Sequence, residues 1–181
     1  MRNFPGQGHM GDFWVFGYGS LIWRPGFAHV ETSRARLFGY RRALCVASYV
    51  HRGTPARPGL VLGLDRGGSC IGLAFRVPES LREEVMTTLR ARELVTNVYL
   101  ERVLPVRLAG GKSVDAVCYV VDRAHEQYAG ALDVEHAAAR ISGAVGQSGP
   151  NEQYVLNTVE HLRALSIRDH WLEAVAQKVS G

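Results

Sequence analysis

The chain has 181 residues, is 46% hydrophobic and 21% charged, and carries a formal net charge of +4 with 20 glycines and 3 cysteines. This ordinary globular balance excludes a disordered, collagen-like or disulfide-stapled chain. At such a length a single domain buries roughly 70% of the surface it exposes unfolded, so its core needs no metal or disulfide staple.

The basic residues are scattered (Arg34, Arg36, Arg41, Arg42, Arg52, Arg57, Arg66) rather than massed. No nucleic-acid partner is expected from that spread. It suits a small anionic ligand, or equally a mildly basic solvated surface. Cys45, Cys70 and Cys118 lack metal-ligand or CxxC spacing and point to a reducing compartment. Cys45 and Cys118 sit in apolar strand-like runs, where a thiol behaves as a small buried hydrophobe. No stretch approaches the ~20 apolar residues of a membrane span, and a cytoplasmic location without membrane association is expected. Residues 1–12, glycine-rich and without a signal-peptide core, are read as a flexible N-terminal extension, and residues 13–181 as one domain.

In chain order, Phe13-Trp14-Val15-Phe16 reads as a short strand ending at Gly17-Tyr18-Gly19-Ser20. Arg24-Pro25-Gly26 marks a turn. Ser33 to Ser48 alternates as strands broken at Gly39, and Tyr49 to Gly59, interrupted by proline and glycine, is a structured loop. Leu60 to Leu64 and Cys70 to Val77 flank Asp65-Arg66-Gly67-Gly68-Ser69, which predicts a hairpin with a glycine turn. Pro78-Glu79-Ser80 is expected to cap a helix through Leu81, Val85, Met86 and Leu89 that delivers Glu93 at its end. Strands follow over Tyr99 to Leu108 and Val114 to Val121, turning at Gly110-Gly111-Lys112. Helices are predicted at Val134 to Ile141 and Asn151 to Leu165. The order predicts an α+β domain with an antiparallel or mixed sheet, and periodicity leaves open whether the sheet closes.

Three places are candidates for chemistry. Tyr18-Gly19-Ser20-Leu21 is a loop whose glycine lets backbone amides approach an anion or oxyanion, although a tight structural turn uses the same residues. Glu93 is a general base if it points into a cleft, or a salt-bridged surface group beside Arg90 and Arg92. Ser148 to Asn151 opens a helix and offers free amides to a carboxylate, or simply caps it. The histidines show no ligand pairing, so no metal site is expected.

Taken in order, these segments resemble one family, the ChaC-like γ-glutamylcyclotransferases, in their glutathione-specific branch. The likeness runs from about Trp14 to the last helix. Val15-Phe16-Gly17-Tyr18-Gly19-Ser20-Leu21-Ile22-Trp23 resembles the amino-terminal signature. His51-Arg52-Gly53-Thr54-Pro55 and Gly72-Leu73-Ala74-Phe75-Arg76 resemble the central block, Arg92-Glu93-Leu94-Val95 with Tyr99-Leu100 the segment of the catalytic glutamate, and Ser148-Gly149-Asn151-Tyr154 the C-terminal signature. Many relatives have glycine in the interval where this chain reads Thr96-Asn97-Val98. The resemblance implies a small β-barrel with flanking helices, no cofactor, and conversion of glutathione to 5-oxoproline and cysteinylglycine. It makes Glu93 the acid/base and Tyr18, Gly19, Ser20 and Leu21 the substrate loop. Arg52, Tyr99, Ser148 and Tyr154 are the further candidate substrate contacts. Two alternatives stand beside it: a cyclotransferase for another γ-glutamyl peptide or amine, and a non-catalytic γ-glutamyl metabolite-binding module.

Overall fold

A computed structural model of the chain describes residues 11–181. Of the expected extension, residues 1–10 lie outside the described residues. Five strands close a barrel: β1 (Phe13–Gly17), β2 (Glu31–Ser48), β3 (Gly59–Val77), β4 (Tyr99–Leu108) and β5 (Ser113–Val121), in the spatial order β1-β3-β2-β4-β5. Neighbours run antiparallel except at one seam, where Trp14 pairs with Ala116 and Val15 with Val117 in parallel. The expected α+β class therefore takes its closed form, with a mixed sheet. Just before β1, the Asp12 carboxylate pairs with Arg76 of β3.

The helices are α1 (Ser20–Trp23), α2 (Arg82–Glu93), α3 (Val134–Ile141), α4 (Asn151–Ala164) and α5 (His170–Ser180). A two-stranded ladder, β6 (Val145–Gly146) and β7 (Gly149–Pro150), precedes α4. Alternation explains why β1, and β5 from Ala116 onward, are apolar at successive positions. Phe13, Val15, Val117 and Tyr119 pack with Val85, Met86 and Leu89 of α2, whereas Phe16, Ala116, Cys118 and Val120 join the central cluster with α3, α4 and α5. A strand covered on both faces loses its polar phase. Among the described residues no helix is long and apolar enough to cross a membrane.

The predicted hairpin at Asp65 to Ser69 does not form. β3 runs straight through it, paired with β2 from Arg76 opposite Glu31 to Gly59 opposite Ser48, and the chain reverses in the loop between Ser48 and Gly59. Gly67 and Gly68 do adopt positive φ, 103° and 65°, but they face Gly39 (φ 87°) across a shift in register. These glycines build a bulge, which has the same backbone requirement as a turn. Asp65 is fully buried, its carboxylate accepting from Arg41, Arg123 and Tyr128, which ties this stretch down instead of projecting it.

Two further expectations change at helix ends. Ser80 does not cap α2: a 3₁₀ turn over Glu79–Leu81 leads into it, and its N-cap, Leu81, offers no side-chain bond. Helix α5 was not predicted, although Asp169 accepts from the Leu172 amide as its cap and Leu172, Val175 and Ala176 repeat at helical spacing on the buried side.

Candidate active site

β1 ends at Gly17, and the chain folds straight back into α1. A Cβ at Gly17 would stand 3.1 Å from the Leu21 Cβ and 3.2 Å from the Phe75 ring, so only glycine allows this reversal without displacing its neighbours. The Ile22 amide donates to the Gly19 carbonyl at 2.9 Å and closes the turn. Tyr18, Gly19, Ser20 and Leu21 are thereby presented together at one end of the barrel.

The facing surface arises from an unfinished edge. β1 covers β3 only over Leu73 to Val77, which leaves main-chain groups of Leu60 and Leu62 for side chains to satisfy. Asn151 takes both groups of Leu60: its Oδ1 accepts from the amide at 2.8 Å and its Nδ2 donates to the carbonyl at 2.8 Å. At Leu62 the amide donates to the Tyr154 hydroxyl at 3.0 Å, and the Tyr99 hydroxyl donates to the carbonyl at 2.7 Å. Two phenol rings are thus fixed by one residue of β3.

Glu93 ends α2 and joins the same cleft, which is lined by Tyr18 to Leu21 with Tyr99 and Tyr154 and completed by Leu62 and Tyr119. The Glu93 side chain is 15% exposed, with Arg92 Nε 3.5 Å from its Oε1. Burial pushes its carboxyl above the usual carboxylate range, and Arg92 only partly opposes that rise. Arg90, the other suggested partner, pairs instead with Glu101 at 2.8 Å. Burial, then the neighbouring phenols and Glu93, raise Tyr18 and Tyr99 well above the ordinary phenol range, and burial pushes Tyr154 up to about 12. All three phenols stay neutral near neutral pH. Downstream of Glu93, Asn97 holds φ at 58°, a left-handed conformation that glycine favours and asparagine tolerates better than most residues.

Of the predicted site residues, Tyr18, Gly19, Ser20, Leu21, Glu93, Tyr99 and Tyr154 meet in this cleft, while Arg52 and Ser148 do not line it. Ser148 is exposed and its hydroxyl bonds with the His51 ring at 3.0 Å. The Arg52 guanidinium lies 5.5 Å from the Tyr154 ring centroid and donates to the Pro150 carbonyl at 3.2 Å. At the N-terminus of α4 the N-cap is Pro150, with no side-chain cap bond, and the Asn151 side chain bridges to β3 rather than capping the helix. Leu62 and Tyr119 were missed. Leu62 contributes through its backbone, which leaves no side-chain signal, and Tyr119 sits in an apolar strand that reads as core. All three cysteines are buried, and burial pushes the Cys45 and Cys118 thiols up to about 12, far from a reactive thiolate.

A five-stranded barrel with a largely enclosed carboxylate facing a glycine-flanked loop is one frame with the sequence segments that resemble the cyclotransferases. Residues 13–181 match the family model described as ChaC-like protein, and the chain belongs to that family. Among its relatives, the glutathione-specific γ-glutamylcyclotransferase of Escherichia coli K12 is 35% identical over 162 residues, covering 90% of this chain and 70% of that protein. The glutathione-specific γ-glutamylcyclotransferase 1 of Danio rerio is 34% identical over 156 residues, covering 84% of this chain and 80% of that protein. A crystal structure of a yeast γ-glutamyl cyclotransferase specific to glutathione superimposes with a TM-score of 0.81 at 25% identity, over 93% of this chain and 98% of that one.

Proposed function

We propose that this chain is a γ-glutamylcyclotransferase that converts glutathione to 5-oxoproline and cysteinylglycine, with Glu93 as the acid/base. The observation that carries this reading is the largely enclosed Glu93 carboxylate, raised in pKa, in one cleft with the Tyr18 to Leu21 loop.

The substrate supplies its own nucleophile. Its α-amine attacks the γ-carbonyl carbon, a five-membered lactam closes, and the bond from that carbon to the cysteinyl nitrogen breaks. No water enters, and every atom of both products comes from glutathione. Two tasks remain for the protein: folding the γ-glutamyl arm into a near-attack geometry and moving one proton. The α-ammonium has a reference pKa of about 8. A carboxylate raised by burial lies closer to that value and accepts the proton more readily, then returns it to the departing cysteinyl nitrogen. Tyr99 commits its proton to the Leu62 carbonyl, whereas Tyr154 accepts from the Leu62 amide and keeps its own proton available for the substrate α-carboxylate. The loop amides hold the carbonyl oxygen as charge develops on it. Arg52, behind Tyr154, supports that ring and helps to keep the phenol from rising further. The three buried free thiols suit a reducing compartment such as the cytoplasm.

The test is product analysis. Purified protein incubated with glutathione, without metal or nucleotide, is expected to release 5-oxoproline and cysteinylglycine in equal amounts, faster than other γ-glutamyl peptides and amines in the same panel. Turnover of another member of the panel in place of glutathione would keep the chemistry and replace the substrate; no product from any member would end the reading.

A further inference from the structure

One buried cation near the cleft has no part in the proton transfer. Arg42 of β2 has a side chain only 3% exposed and grips three elements: its Nε donates to the Tyr18 carbonyl at 2.6 Å, its Nη2 to the Ile71 carbonyl of β3 at 2.7 Å, and its Nη1 to Asp169 Oδ2 at 3.1 Å. Asp169 is also the cap of α5, its other oxygen accepting from the Leu172 amide.

The peptide between Tyr18 and Gly19 is trans, so its C=O and N–H point in opposite directions. With the carbonyl held by Arg42, the Gly19 N–H is directed away from that guanidinium. Arg42 lines a separate cavity of about 380 Å³ beside α5, whereas Gly19 lines the cleft that holds Glu93. Among the described residues the Gly19 amide donates to no other backbone carbonyl.

We propose that Arg42 is a positioning residue for the reaction: from the far side of the loop it sets the 18–19 peptide plane and aims the Gly19 amide at the γ-carbonyl oxygen as that oxygen becomes negative. Asp169 makes the start of α5 part of the same assembly. A donor fixed before the charge appears stabilises the transition state more than the bound ground state, so its loss reads in kcat. Lysine has one compact ammonium and cannot span the three acceptors in the guanidinium's planar geometry. This inference rests on the cyclotransferase reading of the cleft.

The experiment is steady-state kinetics on Arg42→Lys with glutathione. The expected result is a fall in kcat of roughly 10- to 100-fold with KM changed by less than about threefold, in protein that still melts cooperatively. A wild-type kcat, or a higher KM at unchanged kcat, overturns the proposal. If Arg42→Lys does not fold, Asp169→Asn, which keeps a capping oxygen for Leu172, carries the same test: a smaller loss confined to kcat supports the proposal and an unchanged kcat overturns it. Should wild-type protein fail to turn over any γ-glutamyl compound, the proposed activity falls separately, and the Arg42 inference is read from the Gly19 amide by ¹⁵N NMR. Its resonance moves in the Arg42 or Asp169 variant if Arg42 sets the peptide plane, and an unmoved resonance sinks it.

Discussion

The Arg92 guanidinium donates to the Ser20 hydroxyl at 2.7 Å, so the residue next to Glu93 is fastened to the loop across the cleft, 72 positions earlier in the chain. A second bond from Arg92 reaches the Arg24 carbonyl just beyond α1. The two halves of the site, an acid at the end of α2 and a turn after β1, are therefore joined by one side chain. That side chain is also the cation that draws the Glu93 pKa downward.

Arg92→Met removes both effects. Without the cation the Glu93 carboxyl rises further, so the base form appears at higher pH. The acid limb of the pH profile of kcat/KM is expected to move upward, with a higher KM as α1 loses its tether. An acid limb in the wild-type position would mean that Arg92 does not tune Glu93.

Glu93→Gln keeps the shape and removes the proton acceptor. Release of 5-oxoproline is expected to fall by about 10²- to 10⁴-fold, the usual worth of a positioned acid or base. Stability should change in the other direction. Because the folded pKa of Glu93 lies above its ordinary value of 4.5, ionising it in the folded protein is unfavourable at any pH above that window. The variant should therefore melt at or above the wild-type temperature at neutral pH, and the advantage should vanish below about pH 4, where Glu93 is protonated in both states. Thermal melts across pH check this; a variant that is less stable at neutral pH and unchanged in acid contradicts it.

Asn151→Ala strips two buried main-chain groups of their partners at once, the Leu60 amide and carbonyl. Leaving both unsatisfied should cost about 2–4 kcal/mol in denaturant unfolding. Activity should also fall in the remaining folded protein, since Tyr154 lies one turn along the same helix and meets Leu62 through the same edge. Wild-type stability would show that the edge of β3 does not depend on α4.

Much of the frame was legible in the chain. The predicted strands and helices α2, α3 and α4 follow from alternation, helical spacing and glycine punctuation. Buried thiols were readable because cysteine amid apolar β-formers has no route to water. The hairpin failed for an instructive reason: Gly67 and Gly68 announce a positive φ without saying whether the strand then reverses or bulges, and the decision came from pairing with Gly39 and from the buried Asp65. The spread of site residues was harder still. Arg52 and Ser148 belong to segments with the family pattern, yet they support Tyr154 and the outer loop and leave the cleft to the tyrosines.

Local order along the chain specifies which backbone shapes are available, because torsional preference and hydrophobic period act over a few neighbours. From that source come the reversal at Gly17, the helix ending in Glu93 and the strands with two apolar faces. Whether Glu93 looks into a cleft or into water, and which side chains finish the bare edge at Leu60 and Leu62, depends on groups 37 to 92 residues apart meeting when the barrel closes. Such meetings are set by satisfying buried polar groups in three dimensions, and no short window of sequence contains both partners.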